Sequence, residues 1–279
     1  MNKIVFLSKL YITNFDYMSI KENNNKLRQN IYFNALIDIV RQAGSAILDS
    51  YITQDPKVTY KFDKSPLTEA DLNSHKIILN QLMAISELPI ISEESESIYT
   101  KSESYWLVDP LDGTKEFINK NGEFTVNIAL IKNSFPIIGI VYHPVTGVSY
   151  IGGKALGSIK IDEKNKQKNI LVSKPNMSIR VVASRSHLND SSKDFIEKLG
   201  SVQTVYAGSS LKFCLVAEGL ADIYPRLSPT SEWDTAAAQA VVEGAKGSVL
   251  DLQGRRLSYQ KNNIINPSFI VRGNNYIDI

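Results

Sequence analysis

A short apolar run, Tyr105-Trp106-Leu107-Val108, leads without interruption into Asp109-Pro110-Leu111-Asp112-Gly113-Thr114. A β-rich tetrapeptide of this kind reads as a strand, and its end is a rigid platform for the two carboxylates that follow. Pro110 fixes its own φ and biases Asp109 towards extended geometry, while Gly113 permits a tight turn. Asp109, the Leu111 carbonyl and Asp112 can therefore converge on one point. Converging oxygen ligands suit Mg2+, which takes a few carboxylates together with water and phosphate. If Thr114-Lys115-Glu116-Phe117 opens a helical turn, the Gly113 and Thr114 N–H groups point outwards and can hold a phosphate. Asp-Pro and Asp-Gly are also common turn dipeptides, and from this segment alone the two readings stand level.

Three other segments bring acids of the same kind. Ile90-Ile91-Ser92-Glu93-Glu94 again ends an apolar run in carboxylates, and Trp233-Asp234-Thr235-Ala236-Ala237-Ala238 sets an aspartate just ahead of an alanine-rich helix. Ser65-Pro66-Leu67-Thr68-Glu69-Ala70-Asp71 places one more in the first turn of a helix. Taken singly, these read as a solvated loop, an N-cap, and compensation of a helix dipole. Electrostatics narrows the choice for the group. Two carboxylates about 4 Å apart repel by roughly 4 kcal/mol at an effective dielectric of about 20. Four or five gathered without a cation would offset much of a typical stability of about 5–15 kcal/mol. Either the acids lie far apart or metal sits among them.

Composition excludes several other classes. The 31 Lys and Arg against 29 Asp and Glu leave a charge of +2, without the basic excess of a nucleic-acid or membrane-surface binder. A single cysteine, Cys214, cannot form an internal disulfide and lies in an apolar helical stretch, where it reads as a packing residue. With only His75, His143 and His187 beside it, no Cys/His set is spaced for zinc. No apolar run approaches the roughly 18 residues that cross a bilayer, so no integral membrane segment is expected and the chain reads as cytoplasmic.

The chain divides into a polar extension, 1–30, read as flexible; an N-terminal metal-binding lobe, 31–178; and a C-terminal α/β lobe, 179–279. Leu36, Ile37, Val40, Ala43, Ile47 and Leu48 predict a helix from Ile31. Leu72, Ile78, Leu79, Leu82 and Met83 predict a second over Leu67–Ile85 with Thr68 as N-cap, after a loop from Gln54 to Pro66. Strands follow at Ile90-Ile91, Tyr105–Val108, Phe124–Ile131, Ile137–Tyr142 and Val148–Ile151, the last three as an antiparallel meander. From about Ile179 strands alternate with helices over Asp190–Leu199, Ser210–Glu218 and Asp234–Glu243, and the chain ends in strands near Val249 and Phe269.

Through Glu93-Glu94, Asp109 to Thr114 and Trp233 to Ala237, in that order, the sequence resembles the magnesium-dependent, lithium-sensitive phosphatases of the inositol monophosphatase superfamily. The likeness runs from about Ile31 to the C-terminus. Within it, Trp106 to Ile118 and Asn121 to Ile131 are most similar to the bacterial bisphosphate nucleotidases of the CysQ type. The resemblance implies an α+β fold, a layered αβαβα sandwich of the sugar-phosphatase type, with the active site between two lobes. It implies two or three Mg2+ ions held by Glu93, Asp109, the Leu111 carbonyl, Asp112 and Asp234. Asp71, Thr114 and Glu93 are the implied catalytic residues, with Asp71 and Thr114 positioning the attacking water. Gly113, Thr114, Lys115, Ser186, His187, Ser209, Lys212 and Arg226 are the implied substrate contacts. The two cations Lys212 and Arg226 suit a second phosphate that a simple inositol phosphate lacks.

The activity so implied is hydrolysis of adenosine 3′,5′-bisphosphate to AMP and phosphate in sulfur metabolism, with the sulfated analogue PAPS to APS as a second reaction. The partner is a small phosphorylated nucleotide and the protein a monomer or homodimer; family likeness also allows a peripheral association with the inner membrane. An inositol or sugar monophosphatase with the same metal centre is the alternative. A non-catalytic nucleotide-binding regulator is the alternative from another class.

Overall fold

The computed structural model describes residues 22–52, 58–61, 66–95, 100–174, 178–185, 189–261 and 263–273. Helix α1 (Glu22–Ile52) packs against α2 (Glu69–Ile85). The apolar stripe expected on α1 is the face it buries: Leu36, Ile37, Val40, Ala43 and Ile47 are all inside. The helix starts earlier than Ile31 and runs through the asparagine cluster, because extending an existing helix costs far less than nucleating one. On α2 the stripe differs from expectation. Ala70, Ser74, Ile78 and Leu82 face inwards at four-residue spacing, whereas Leu72 and Met83 are exposed. Asp71 lies on the buried side too. Thr68 is the N-cap, as the sequence indicates. Its backbone N–H and its hydroxyl both donate to Asp71 Oδ2, at 2.8 and 2.5 Å.

The expected loop between these helices contains a small hairpin of β1 (Val58–Tyr60) and β2 (Pro66–Thr68). Seven strands then form one sheet in sequence order: β3 (Ile90–Ser92), β4 (Ser104–Asp112), β5 (Thr125–Lys132), β6 (Phe135–His143), β7 (Val148–Gly153), β8 (Gly157–Ile161) and β9 (Gln167–Asn169). Only β3 and β4 are parallel. The expected meander is therefore present, extended by β8 and β9. Sequence did not betray β9, whose Gln-Lys-Asn is exposed throughout and lacks apolar alternation.

Both faces of this sheet are buried, and the period-two alternation of a strand sorts its residues. Trp106, Val108, Ile128 and Ile140 pack with α1 and α2. Tyr105, Leu107, Ala129 and Val141 pack on the other side, against a core shared with α6 (Trp233–Gly244). Beyond it lies a second sheet of β10 (Ile179–Ser184), β11 (Val202–Ala207), β12 (Ile223–Arg226), β13 (Ser248–Asp251) and β14 (Phe269–Arg272), in the order β11-β10-β12-β14-β13. Helix α5 (Leu211–Ala217) joins α6 between the sheets, and α4 (Asp190–Lys198) packs on β12. The result is the layered α+β sandwich the resemblance implied. Alanines at 236, 237, 238 and 240 let α6 sit close to its neighbours. At Gly139 of β6 an added Cβ would stand 2.3 Å from the Ala237 carbonyl oxygen. Among the described residues no helix is long and apolar enough to cross a membrane.

Candidate active site

The short helix α3 (Thr114–Ile118) begins directly after β4, so the acidic motif sits where a strand turns into a helix. Pairing with β5 slips there: Asp109 faces Asn127 and Asp112 faces Thr125, leaving Pro110 and Leu111 in a bulge. Proline has no N–H for the ladder, so its presence favours such a break. The bulge is fixed from within. Leu111 N–H donates to Asp109 Oδ1 at 3.1 Å, and Ser74 Oγ on α2 donates to the Pro110 carbonyl at 2.7 Å. Gly113 follows with φ +91°, the left-handed conformation expected of a glycine there.

Each remaining acid arrives on its own element. Glu93 follows β3 and is tied to β4 by its N–H, which donates to the Val108 carbonyl at 3.0 Å. Asp234 is the second residue of α6, and its Oδ2 accepts the Ser231 N–H at 2.8 Å. It is not the N-cap, a position Glu232 occupies. One carboxylate oxygen from each of Glu93, Asp109 and Asp234 lies within 4.8 Å of the others. Asp112 Oδ2 accepts from Ser210 Oγ at 2.9 Å and, at 3.4 Å each, from Thr125 Oγ1 and Asn127 Nδ2. Beside this group, Thr114 Oγ1 donates to Asp71 Oδ1 at 3.2 Å and stands 3.5 Å from the Leu111 carbonyl oxygen.

Confinement leaves these carboxyls reluctant to ionise. Burial, then repulsion by neighbouring acids, pushes Asp109 and Asp234 well above the usual carboxylate range. Burial also raises Glu93 and Asp112, opposed in turn by Lys61 and Lys212. Asp71 is raised by burial against the hydrogen bonds from Thr68. Asp109, 1% exposed, has no ion-pair partner among the described residues. A buried carboxylate in that condition is costly, and a hard cation relieves the cost. The donors are all oxygens, the set that Mg2+ or Ca2+ accepts and zinc with its nitrogen and sulfur ligands does not need. The residues fit a divalent cation.

A cavity of about 290 Å³ opens over these acids. Lys115, Ser209, Lys212 and Arg226 line it together with Glu93, Asp109, Asp112 and Asp234. Lys212 is not a solvated helix residue. It is 6% exposed, donates to the Ser209 carbonyl at 2.6 Å, and burial pushes its pKa down to about 8. Arg226 Nη2 donates to the Pro229 carbonyl at 3.1 Å, while its buried Nε and the buried Ser209 Oγ have no hydrogen-bond partner. Ser186 and His187 lie outside the described residues.

Sequence reasoning passed over four participants. Lys61 Nζ, just past β1, reaches Glu93 at 2.8 Å and Glu94 at 2.7 Å. Ser210, Asn127 and Thr125 surround Asp112. Nothing in a lysine within a polar loop, or in a serine beside another serine, marks such roles. A polar Asn127 and Thr125 in a strand otherwise apolar up to its last residue, Lys132, was the one available signal.

Residues 29–276 match the profile of the inositol monophosphatase family. The chain is 46% identical over 239 residues to the 3′(2′),5′-bisphosphate nucleotidase CysQ of Escherichia coli (strain K12), covering 84% of this chain and 96% of that protein. It is 43% identical over 243 residues to the protein of the same name from Buchnera aphidicola subsp. Acyrthosiphon pisum (strain APS), covering 85% and 90%. The crystal structure of CysQ from Bacteroides thetaiotaomicron, a bacterial member of the inositol monophosphatase family, matches with a TM-score of 0.77 at 38% identity, over 87% of this chain and 98% of that one. The suhB extragenic suppressor protein of Bartonella henselae, at 24% identity and a TM-score of 0.74 over 88% and 94%, shares the fold. This chain belongs to the inositol monophosphatase family.

Proposed function

We propose that the protein is a Mg2+-dependent 3′(2′),5′-bisphosphate nucleotidase that hydrolyses adenosine 3′,5′-bisphosphate to AMP and phosphate. The observation that carries this is the second wall of the cavity, where Lys212, Arg226 and Ser209 face the same space as the acids. A monophosphate needs no such wall. A substrate with a second phosphate does, and Arg226 and Ser209 each hold a buried polar atom without a partner. The nucleotidases to which this chain is 46% identical support the same substrate class.

Glu93, Asp109, the Leu111 carbonyl, Asp112 and Asp234 would hold two or three Mg2+ ions. When bound, such ions polarise the phosphoryl oxygens, favour ionisation of the attacking water and neutralise the charge that develops on the leaving oxygen. The chain's own residues do the rest. Thr114 Oγ1, hydrogen-bonded to Asp71, orients the water in line with the scissile bond, and the Asp71 carboxylate takes its proton. Gly113 and Thr114 present backbone N–H groups to the phosphate oxygens. Water oxygen bonds to phosphorus, the bond from phosphorus to the ribose oxygen breaks, that oxygen takes a proton from solvent water, and the proton held by Asp71 returns to solvent. Lys212 and Arg226 hold the other phosphate and so fix the register of the ribose; Lys115 also lines the cavity.

Phosphate release over a panel of adenosine 3′,5′-bisphosphate, PAPS, inositol monophosphate and a sugar monophosphate, with and without Mg2+, tests this. The bisphosphate should turn over fastest and only with the cation. Faster turnover of inositol monophosphate would overturn the assignment.

A further inference from the structure

Ser210 stands at the start of α5, 1% exposed, and reaches the strand that carries Asp112. Its single hydroxyl lies 2.9 Å from Asp112 Oδ2 and 3.0 Å from the Asp234 main-chain carbonyl oxygen, and it accepts from Asn127 Nδ2 at 2.9 Å. One oxygen thus touches β4, β5 and α6. A serine has one proton to give, and an ionised carboxylate is a better acceptor than a neutral carbonyl. With Asn127 donating into the hydroxyl, that proton is free to go to Asp112.

The orientation of Asn127 matches that direction. Its Nδ2 faces Ser210 and Asp112, while its Oδ1 is buried without a partner. The reverse orientation would turn Oδ1 towards the carboxylate, oxygen against oxygen, and would claim the Ser210 proton. Leaving an acceptor unpaired in the interior is unfavourable, so the amide is held this way round by what it does for Ser210 and Asp112. Three donors therefore converge on Asp112 Oδ2, and among the described residues none is recorded on Oδ1.

We propose that Ser210, oriented by Asn127, is a positioning residue for Asp112, occupying Oδ2 so that Oδ1 is the oxygen presented to the cation. This rests on the reading of Asp112 as a metal ligand. It also makes the cation site sensitive to the seating of α5, an element that supplies no carboxylate to it. Loss of an outer partner of a metal ligand typically weakens metal binding by about 10–100-fold.

The test measures Mn2+ uptake by purified protein from the free-ion electron paramagnetic resonance signal, without substrate, for the parent, Asp112→Asn, Ser210→Ala, Ser210→Cys and Ser210→Thr, each checked by thermal melting. Ser210→Cys fills the site with a weak donor and keeps the test alive should the alanine variant not fold. The expected result is about 10–100-fold weaker binding in the alanine and cysteine variants and recovery to within about threefold of the parent in threonine, which keeps the hydroxyl. Parent-like affinity in the alanine or cysteine variant, with Asp112→Asn weakened, would overturn the role of Ser210 alone. So would a threonine variant as weak as the others, since packing would then be the cause. A parent that takes up no Mn2+, or an Asp112→Asn protein that binds as the parent does, would remove the metal centre and this inference together.

Discussion

Replacing Asp234 with asparagine should make the metal-free protein more stable while weakening its hold on Mg2+. Oxygens of Glu93, Asp109 and Asp234 lie within 4.8 Å of one another, so each ionised pair repels by at least 332/(20 × 4.8), about 3.5 kcal/mol, at an effective dielectric of about 20. Three such pairs come to about 10 kcal/mol, and neutralising Asp234 removes two of them. The parent limits this repulsion by staying protonated. Keeping one carboxyl protonated at pH 7 against an ordinary value of 3.8 costs about 1.36 × 3.2, or roughly 4 kcal/mol, which caps the gain. Lys61 screens Glu93 and lowers it further, so about 2–4 kcal/mol is expected. Asparagine still accepts the Ser231 N–H, so the start of α6 is undisturbed. At about 2–4 °C per kcal/mol the gain is a melting temperature higher by roughly 4–16 °C. The sign with pH follows from the raised pKa of Asp234. Protonation stabilises the fold fully below the unfolded value and the benefit is lost as pH rises through the folded one. The variant's advantage in EDTA should therefore be large at pH 8 and small near pH 4, and in Mg2+ the order of the two proteins should reverse. Differential scanning calorimetry at both pH values would check this. A variant that melts at or below the parent at pH 8 in EDTA would show that the three carboxylates do not confront one another.

Arg226→Ala removes charge-assisted hydrogen bonds worth about 1.5–3 kcal/mol, so kcat/KM for adenosine 3′,5′-bisphosphate should fall about 10–150-fold and that for adenosine 3′-monophosphate barely move; equal losses in phosphate release would refute a contact with the second phosphate. Lys212 is charged below about pH 8 and neutral above it, so KM for the bisphosphate should climb as pH passes 8, and a flat KM from pH 6 to 9.5 would contradict that role. Thr114→Val should lower kcat by about 10²–10⁴-fold with Mn2+ uptake intact, read by steady-state kinetics beside metal binding. Gly139→Ala sets a Cβ 2.3 Å from the Ala237 carbonyl oxygen, a backbone atom that cannot rotate away, and should cost about 1–3 kcal/mol in urea unfolding.

The geometry of Asp109, Asp112 and Gly113 could be read from sequence because the strand, the turn and the proposed ligands are one continuous segment, and local chemistry fixes it. Thr68 and Asp71 were legible for the same reason, being three residues apart on one helix end. Lys61 and Ser210 were not, since their partners lie 32 and 98 residues away. Helix α2 shows the other limit. Its apolar residues exceed what its buried face needs, and that face is narrowed by the approach to the bulge, where Ser74 and Asp71 displace Leu72 to the outside. Hydrophobic periodicity locates a helix better than it orients one when the inward face carries polar work.

The site is also a joint. Asp109 and Asp112 lie in the seven-stranded sheet and Glu93 directly follows one of its strands, whereas Asp234 and Ser210 arrive on the helices that lie between the two sheets. Their separation is set by apolar packing: Ala237, one turn along α6 from Asp234, is pressed against Gly139 with no room for a methyl group. The carboxylates cannot relax apart without opening that contact. Confinement of like charge by a close-packed interface stores the electrostatic cost in the fold, and a divalent ion releases it. Cation affinity and the tightness of the helix–sheet packing are in this sense one quantity, which is why a methyl group at Gly139, far from the chemistry in sequence, acts on the same balance as a charge removed at Asp234.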